Sequence, residues 1–407
     1  MHSETKLPSG AWKTVGFLCM VGCLNYLVRV MITTMKGSIQ ETIPMTDSQF
    51  GLLTSSFLWV YGLASPFAGY LSDRFKRSRV IVVCLFAWSL TTWLTAYTDS
   101  FEGLLATRIL MGLSEACYIP AALALITDYH RGATRSFANG LHLAGIMAGS
   151  GLSFLGGWIA DIYAWETPFV LFGTIGVVYA AFLWPTLKEA PKRADPAGVP
   201  DKKEISVSFW EGIFTLLKNR AFILLLFFWG GLGLSWVVVG WLPAFYKEKY
   251  NLSQGEASVY ATMYLNTATF IGVLAGGALA DYWNRFNKSA RLWVPFLGLL
   301  IAAPAVYIAG DVYILPFAIA GFMLYAMTLT FSDSNLMPIL CMIADSRYLA
   351  TGYGFLNMIS CLVGGLGVYL GGVMLDLKFP FEYLFQGVSV FLGACALLLL
   401  IIKRSLS

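Results

Sequence analysis

Twelve long apolar stretches occupy most of this chain and constrain its fold more than any other feature. A helix needs about twenty mostly apolar residues to cross the hydrocarbon core of a bilayer. Charged residues make up only 12% of the sequence, about half their share in soluble domains. The sequence therefore predicts an all-α membrane protein with twelve transmembrane helices, here called spans 1 to 12. Their expected positions are 12–35, 48–71, 79–97, 102–128, 134–160, 166–187, 220–246, 254–280, 290–309, 312–343, 347–375 and 381–402.

One polar stretch, residues 188–218, separates the first six spans from the last six. It contains KEAPKRADPAGVPDKKE, which is rich in proline and charge, and then a short amphipathic segment, SFWEGIFTLLKN. Such a composition is typical of a linker, because it cannot bury enough apolar surface to form a core. We expect an amino-terminal six-helix bundle over 1–187, a cytoplasmic linker over 188–218 and a carboxy-terminal six-helix bundle over 219–407.

The charges of the loops indicate how the spans are oriented. Loops after even-numbered spans contain Arg74, Lys76, Arg77, Arg79, Arg131, Arg135, Lys188, Lys192, Arg193, Lys202, Lys203, Arg285, Lys288, Arg291 and Arg347. Loops after odd-numbered spans hold few cations and the acids Asp47, Asp99, Glu102, Asp161, Glu166, Asp311, Asp376 and Glu382. Because positive charge stays on the cytoplasmic side, we expect even loops and both termini to be cytoplasmic. The expected location is a bacterial inner membrane.

A short motif, Gly-x-x-x-Asp, recurs four times near the ends of predicted spans. The copies run from Gly69 to Asp73, Gly157 to Asp161, Gly277 to Asp281 and Gly372 to Asp376, at the ends of spans 2, 5, 8 and 11. Copies one and three face the cytoplasm in the expected orientation, and the other two face outside. The unit of three spans is therefore repeated alternately upright and inverted. Inverted three-helix repeats within two parallel halves are the architecture of alternating-access carriers.

Several longer motifs give the chain a specific resemblance to a known family. They are GYLSDRFKRSR at 69–79, its degenerate copy GALADYWNRFNKSAR at 277–291, RILMGLSEACYIPAA at 108–122, NYLVR at 25–29, WLPAFYKEKYNLS at 241–253 and GYGFLN at 352–357. With these motifs the chain resembles a major facilitator superfamily transporter over essentially its whole length. Within that superfamily it is similar to the anion:cation symporter branch, with some spinster-like features.

This resemblance implies a conformational latch on the cytoplasmic side. Its residues would be Gly69, Asp73, Arg74 and Arg77, with Asp281 and Arg285 in the second copy. By resemblance, Asp73 is expected near the amino end of span 11 and near Arg77, where it would hold the cytoplasmic side closed. One departure concerns proton coupling: the resembling carriers usually have Asp directly before the span 1 arginine, and here that residue is Val28.

Three ionisable residues lie deep in the predicted spans of the amino-terminal half. Such residues are costly in a membrane unless paired or facing water, so they are functional candidates. Arg29 and Arg108 lie at a similar depth, and Glu115 lies on the face of Arg108 about 10 Å deeper. Because arginine binds a carboxylate through two parallel hydrogen bonds and a buried Glu can exchange a proton, we predict an anion site coupled to proton-binding Glu115. A structural Arg108–Glu115 pair is the alternative.

The carboxy-terminal half offers one acid and several neutral candidates. Asp333 in TFSDSNLMP is a second protonation or cation site, or else a polar residue that solvates a backbone kinked by Pro338. Asn357 occupies a binding position in the resembling carriers. The other substrate-binding candidates, each of which has packing as its alternative role, are Tyr26, His142, Trp236, Tyr260, Tyr264 and Asn266.

Taken together, the residues and the resemblance favour proton-coupled symport of a small organic anion. The resemblance implies a sugar acid, such as sialic acid or an aldonate. The expected partners are this solute, a proton (with sodium as the other option) and the bilayer, with no cofactor, metal or nucleic acid, and the expected state is a monomer. No Ser-His-Asp pattern or nucleotide loop predicts an enzyme. A lysolipid or sphingoid-phosphate carrier of the spinster type and a non-transporting receptor are the alternatives.

Overall fold

A computed structural model describes residues 7–130, 134–191 and 209–406, and these residues are almost entirely helical. The helices are α1 Ala11–Met31, α2 Lys36–Thr42, α3 Asp47–Arg74, α4 Arg77–Thr95, α5 Phe101–Glu115, α6 Tyr118–Tyr129, α7 Arg135–Leu152, α8 Phe154–Ile162, α9 Glu166–Thr186, α10 Phe209–Lys218, α11 Arg220–Gly233, α12 Trp236–Tyr250, α13 Gln254–Ser258, α14 Leu265–Asn284, α15 Ala290–Asp311, α16 Leu315–Leu329, α17 Phe331–Ile343, α18 Leu349–Asp376 and α19 Phe381–Leu406.

These helices confirm the prediction of twelve membrane spans. Twelve helical stretches in the described residues are long and apolar enough to cross a bilayer. The predicted amphipathic segment is also helical, as α10, and it lies between spans 6 and 7. Most of the predicted linker falls outside the described residues, so the domain boundaries at 187 and 219 stay predictions.

Six of the twelve spans, numbers 1, 4, 5, 7, 8 and 10, are interrupted part-way. Span 4 breaks directly after Glu115, because Pro120 has no N–H to offer the carbonyl of residue 116. Span 10 breaks at Thr330, whose hydroxyl donates to the carbonyls of Ala326 and Met327 within its own helix, a bond that bends helices. Pro338, which was predicted to kink span 10, lies inside α17, eight residues after this break.

Spans 2 and 11, one from each half, pack side by side along most of their length. The Ser55 hydroxyl donates to the Gly365 carbonyl at 2.6 Å. Further along, the Asn357 amide donates to the Ser65 hydroxyl at 3.1 Å. Hydrogen bonds between helices in a membrane contribute about 0.6–2 kcal/mol each, so this seam holds the halves together without fixing them rigidly.

Two carboxylates close the face of the bundle that carries the loops after odd-numbered spans, here called the odd-loop face. Asp376 accepts hydrogen bonds from the backbone N–H groups of Asp47 and Ser48, at 2.8 and 2.9 Å. Asp161 accepts one from the N–H of Gly255, at 3.2 Å. In both places a carboxylate of one half caps a helix of the other half, because unpaired N–H groups at a helix start attract anions.

Glycines four residues before these carboxylates let the halves approach. A side chain at Gly372 would overlap the carbonyl oxygen of Asp47. One at Gly157 would overlap the Ser258 side chain and reach within 2.6 Å of the Thr34 carbonyl. Only glycine permits this backbone separation, so both members of the Gly-x-x-x-Asp motif are used at the odd-loop face.

Candidate substrate and coupling site

Arg29 and Glu115 form a buried ion pair between spans 1 and 4. Nε and Nη2 of Arg29 both donate to Oε2 of Glu115, at 3.0 and 2.8 Å, and the side chains are 4% and 0% exposed. The sequence placed Glu115 well below both arginines, and it offered an Arg108–Glu115 pair as the alternative. The structure pairs Glu115 with Arg29 instead, because the long arginine side chain spans the difference in depth.

Three aromatic rings enclose the Arg29 guanidinium. Its Cζ lies 4.5 Å from the ring centroid of Tyr26, 4.7 Å from that of Phe57 and 4.4 Å from that of Tyr61. A desolvated cation over an aromatic face gains about 2 kcal/mol or more. The rings therefore replace part of the hydration that Arg29 loses, and Tyr26 contacts this guanidinium.

Arg108 is also buried, at 1% exposed, but it differs from Arg29 in its partners. Its Nε and Nη2 make no hydrogen bond with any residue that the structure describes. Its guanidinium lies 6.0 Å from the Phe169 ring centroid. Two arginines and one glutamate leave a net charge of +1 in this buried region. An uncompensated buried charge is strongly unfavourable, so an anion bound next to Arg108 would stabilise this region.

A small cavity lies beside the two arginines, on their odd-loop side and between the halves. Its volume is about 20 Å³, and a single water needs roughly 10–15 Å³. It therefore has room for one water and not for a sugar acid. Trp236, one of the candidate binding residues, lines it from the carboxy-terminal half. The polar and aromatic lining residues are Arg29, Thr33, Thr54, Phe57, Arg108 and Trp236.

Two of the predicted neutral candidates are engaged within the fold. Nε2 of buried His142 lies 2.8 Å from the hydroxyl of Tyr118, which itself donates to the Leu18 carbonyl at 3.0 Å. Since the Tyr118 proton is used there, His142 is the donor from Nε2. Asn266 donates to the carbonyl of Thr262 one turn earlier, at 2.8 Å. These bonds favour the packing alternative for both residues.

Two other candidates lie on the seam and on an irregular turn. Asn357 links the halves through its bond to Ser65. Tyr264, 40% exposed, ends a π-helical turn, Val259–Tyr264, with its ring edge-on to Tyr260 at 5.5 Å. Such turns are frequent at functional sites, and the role of Tyr264 in binding stays a prediction.

Asp333 is exposed and begins a stripe along one side of α17 that continues with Met337 and Cys341. Its charge acts on the phenol of Tyr353 in span 11, which also interacts with Tyr26 in span 1. Asp333 therefore lies within electrostatic range of span 11, and its place beside the substrate path stays a prediction.

The structure describes only part of the predicted cytoplasmic latch. The side chains of residues 69–73 lie outside the described set, so the contacts expected for Gly69 and Asp73 stay predictions. Arg74 is the last residue of α3. Arg77 forms an ion pair with Asp128 at the end of span 4, which ties two spans of the same half.

The second copy of the latch motif is also paired within its own half. Asp281 binds Arg291 at the start of span 9, with Nη2 at 2.9 Å from Oδ1. The sequence had grouped Asp281 with Arg285, the nearer arginine along the chain. The helix instead presents Asp281 toward span 9, across the loop.

Sequence reasoning missed Lys36, which lies where the halves meet at the odd-loop face. Its Nζ is 2.8 Å from Asp47 and 3.4 Å from Glu248 of the other half, and its side chain is 9% exposed. It also lies 5.4 Å from the Trp241 ring centroid. A lysine next to a loop gives no sequence signal of burial, so only the tertiary structure reveals this contact.

Twelve spans, two halves joined by polar seams and buried ionisable residues between them define a solute transporter of the membrane. The sequence profile of the Major Facilitator Superfamily matches residues 18–368. The chain belongs to this superfamily, and it is therefore a multi-pass secondary transporter and not an enzyme.

Individual relatives and solved structures agree with this membership. The chain is 26% identical to the hexuronate transporter of Bacillus subtilis (strain 168), covering 96% of this chain and 94% of the relative. It is 24% identical to the probable sulfoacetate transporter SauU of Cupriavidus necator, covering 94% and 92%. The fold matches a bacterial homologue of the human lysosomal transporter Spinster, in an inward-facing and unoccupied conformation, with a TM-score of 0.83, 22% identity and 98% of each chain covered.

Proposed function

We propose that this transporter moves a small organic anion together with a proton. The observation that carries the proposal is the buried set of Arg29, Arg108 and Glu115, in which one arginine is paired and the other is not. Relatives named for hexuronate and sulfoacetate transport support a carboxylate or sulfonate solute. A sugar acid such as a hexuronate, an aldonate or sialic acid fits this class.

Arg108 is the primary anion contact in this proposal. A carboxylate placed against its Nε and Nη2 would accept two parallel hydrogen bonds and would cancel the net positive charge. Trp236 and Tyr264 would line the site from the other half, with Asn357 at its margin. The site must widen to admit the solute, because the present cavity of about 20 Å³ is too small.

Glu115 is the proton switch. While it is ionised, it holds Arg29 in the ion pair. Protonation removes its charge, and Arg29 then needs another anion, since guanidinium does not lose its own proton. Proton and anion would therefore bind together, each making the other more favourable. Val28 leaves span 1 without the usual acid, so Glu115 has no carboxylate neighbour there. Asp333 is a second protonation or cation site on the opposite wall.

The remaining assignments follow the loop charges and the repeat. The even loops and both termini would face the cytoplasm of a bacterial inner membrane. The odd-loop face would be the external face, closed by Asp161 and Asp376, while Asp73 would close the opposite face in the alternate state. The domains would divide at 187 and 219, and the monomer would be the working unit.

A reconstituted assay with one variant tests this function. In proteoliposomes, Glu115→Gln should retain exchange of labelled against unlabelled anion, because the protonated form is mimicked. It should lose accumulation driven by an inward pH gradient. Asp333→Asn in the same assay shows whether the second acid shares this role.

Two results would contradict the proposal. If Glu115→Gln still accumulates the anion under a pH gradient, Glu115 has a structural role. If the wild-type protein accumulates the anion under a sodium gradient and without a pH gradient, sodium and not the proton is the coupling ion. A thermal-shift screen with hexuronates, sialic acid, sulfoacetate and lysolipids identifies the solute, since a ligand stabilises the folded protein by mass action. Stabilisation by lysolipids alone would favour the lipid-carrier alternative.

A further inference from the structure

Asn25 lies at the centre of the buried charged set, one helical turn before Arg29 in span 1. Its side chain is fully buried, at 0% exposed, and it lies beside the Glu115 carboxyl. Nδ2 and Oδ1 of Asn25 and Oε1 of Glu115 are buried without a well-aligned hydrogen bond to a described residue, although the Asn25 amide is close enough to Glu115 to act on its carboxylate. Native proteins rarely leave buried polar atoms without a partner, so these atoms call for an explanation.

The chemistry of a protonated Glu115 supplies that explanation. A carboxylic acid must donate its O–H to an acceptor, and a buried donor without one is costly. Arginine has five donors and no acceptor, so neither Arg29 nor Arg108 can take this proton. The Asn25 Oδ1 atom is a buried acceptor beside Glu115. It accepts no hydrogen bond from a described residue while Glu115 is paired with Arg29.

An amide suits this position because it serves both states of a carboxyl group. Its oxygen accepts from the protonated acid, and its nitrogen can donate to the ionised one. A charged residue there would instead favour one state strongly. From this geometry we propose that Asn25 is a positioning residue that holds the Glu115 carboxyl in place when it binds a proton and Arg29 departs. The inference rests on the proton switch proposed above.

Infrared spectroscopy of the purified protein in lipid nanodiscs tests this role without any transport measurement. The C=O stretching band of a protonated Glu115, assigned by its loss in Glu115→Gln, is followed as a function of pH. In Asn25→Leu, which is close to isosteric, the acid loses its acceptor. The band should then move to higher wavenumber, because the O–H is no longer hydrogen-bonded to an amide oxygen.

Two further variants separate this role from a general packing defect. Asn25→Thr retains a hydroxyl acceptor and should keep the band near its wild-type wavenumber. Asn139→Leu removes another amide whose Oδ1 is buried without a partner among described residues, but in span 5, and it should leave the band unchanged. The other charged and titratable groups that act on Glu115, namely Arg29, Arg108 and Cys84, are the same in all three variants.

The outcomes are distinct for this inference and for the transport proposal. An unchanged band wavenumber in Asn25→Leu would overturn the inference, as would an equal shift in Asn139→Leu. A Glu115 that never shows a protonated band would overturn it too, because no acid would then need an acceptor. If Asn25→Leu does not fold, a band that moves to higher wavenumber in Asn25→Ala while Asn25→Thr matches the wild type sustains it. If the band shifts in Asn25→Leu but the wild-type protein transports no anion, only the transport proposal is overturned.

Discussion

At the scale of single residues, the two buried arginines have different environments although the sequence presents them alike. Arg29 has a carboxylate and three aromatic rings around its guanidinium. Arg108 has no carboxylate partner among the described residues. The difference arises because the long Arg29 side chain reaches Glu115 from span 1 and takes its carboxylate. In the proposed mechanism the two arginines therefore have unequal roles, with Arg108 binding the solute and Arg29 released by protonation of Glu115.

Substitution of Arg108 should therefore affect binding directly. Loss of a buried charged partner costs about 2–5 kcal/mol, and 1.4 kcal/mol corresponds to tenfold in affinity. We expect Arg108→Ala to raise the Kd for the transported anion roughly 30-fold or more, as measured by thermal-shift titration. Arg108→Lys should restore little of this, because lysine lacks the planar fork.

The matched control is Arg135→Ala, which removes an exposed arginine at the start of α7 and should leave the Kd unchanged. A Kd in Arg108→Ala that stays within threefold of the wild-type value would remove Arg108 from the binding site. The anion contact would then pass to Arg29.

At the scale of helices, the irregular segments and the glycines determine where the spans meet. Spans 4 and 10 break beside the candidate ionisable residues Glu115 and Asp333. Discontinuous helices at the repeat interface are a common feature of carrier binding sites. The glycines of the repeated motif act differently, because they set how closely helices of opposite halves approach.

A methyl group at Gly372 should weaken the closed odd-loop face. The new Cβ would overlap a backbone carbonyl, that of Asp47, which cannot rotate away. Overpacking of this kind costs about 1–3 kcal/mol, equivalent to roughly 5- to 150-fold in a conformational equilibrium. We expect Gly372→Ala to lower the initial rate of uptake at least about fivefold.

Gly387→Ala provides the control, because a Cβ at Gly387 in α19 meets nothing within 4 Å. That variant gains helix propensity and should transport at the wild-type rate. Equal rates in Gly372→Ala and Gly387→Ala would show that the close approach does not limit the cycle.

At the scale of the whole molecule, two of the four copies of the repeated motif provide caps at the odd-loop face. Asp161 and Asp376 each cap a helix of the opposite half at the odd-loop face, with Lys36 and Glu248 as a further bridge between halves. The upright copy that ends at Asp73 is expected to do the same at the other face. The contacts at one face must break, and those at the other face must form, as the substrate site opens alternately to the two sides of the membrane.

Removal of both odd-face carboxylates should shift the equilibrium between the two orientations. A charge at an exposed helix N-terminus contributes about 0.3–1 kcal/mol, so the double variant Asp161→Asn/Asp376→Asn should favour the odd-open state by roughly 3- to 30-fold. The readout is the distance distribution between spin labels at Asp99 and Tyr313, one on each half, in a protein without its native cysteines. A larger population at long distance is the expected result.

Asp311→Asn is the control for charge alone, since Asp311 lies on the same face and is exposed. It should leave the distance distribution unchanged. If the double variant and this control give the same distribution, the caps do not set the conformational balance.

Hydropathy, loop charge and the repeated motif were sufficient to predict the class of protein. Twelve spans follow from the length of apolar runs, because a bilayer requires helices of a fixed length whose backbone groups are satisfied internally. The superfamily also followed from local motifs such as those at 69–79 and 108–122. The ionisable residues Arg29, Arg108, Glu115 and Asp333 were found because charge deep in an apolar run is rare.

The partners of those residues were decided only by the tertiary structure. Spacing along span 4 puts Arg108 and Glu115 on one face, but Arg29 of another span takes the carboxylate. The caps by Asp161 and Asp376 likewise join segments more than 90 residues apart. Sequence by itself determines which residues are costly to bury, because that depends on each side chain alone. Which groups offset that cost depends on how the helices pack, and only the folded chain decides it.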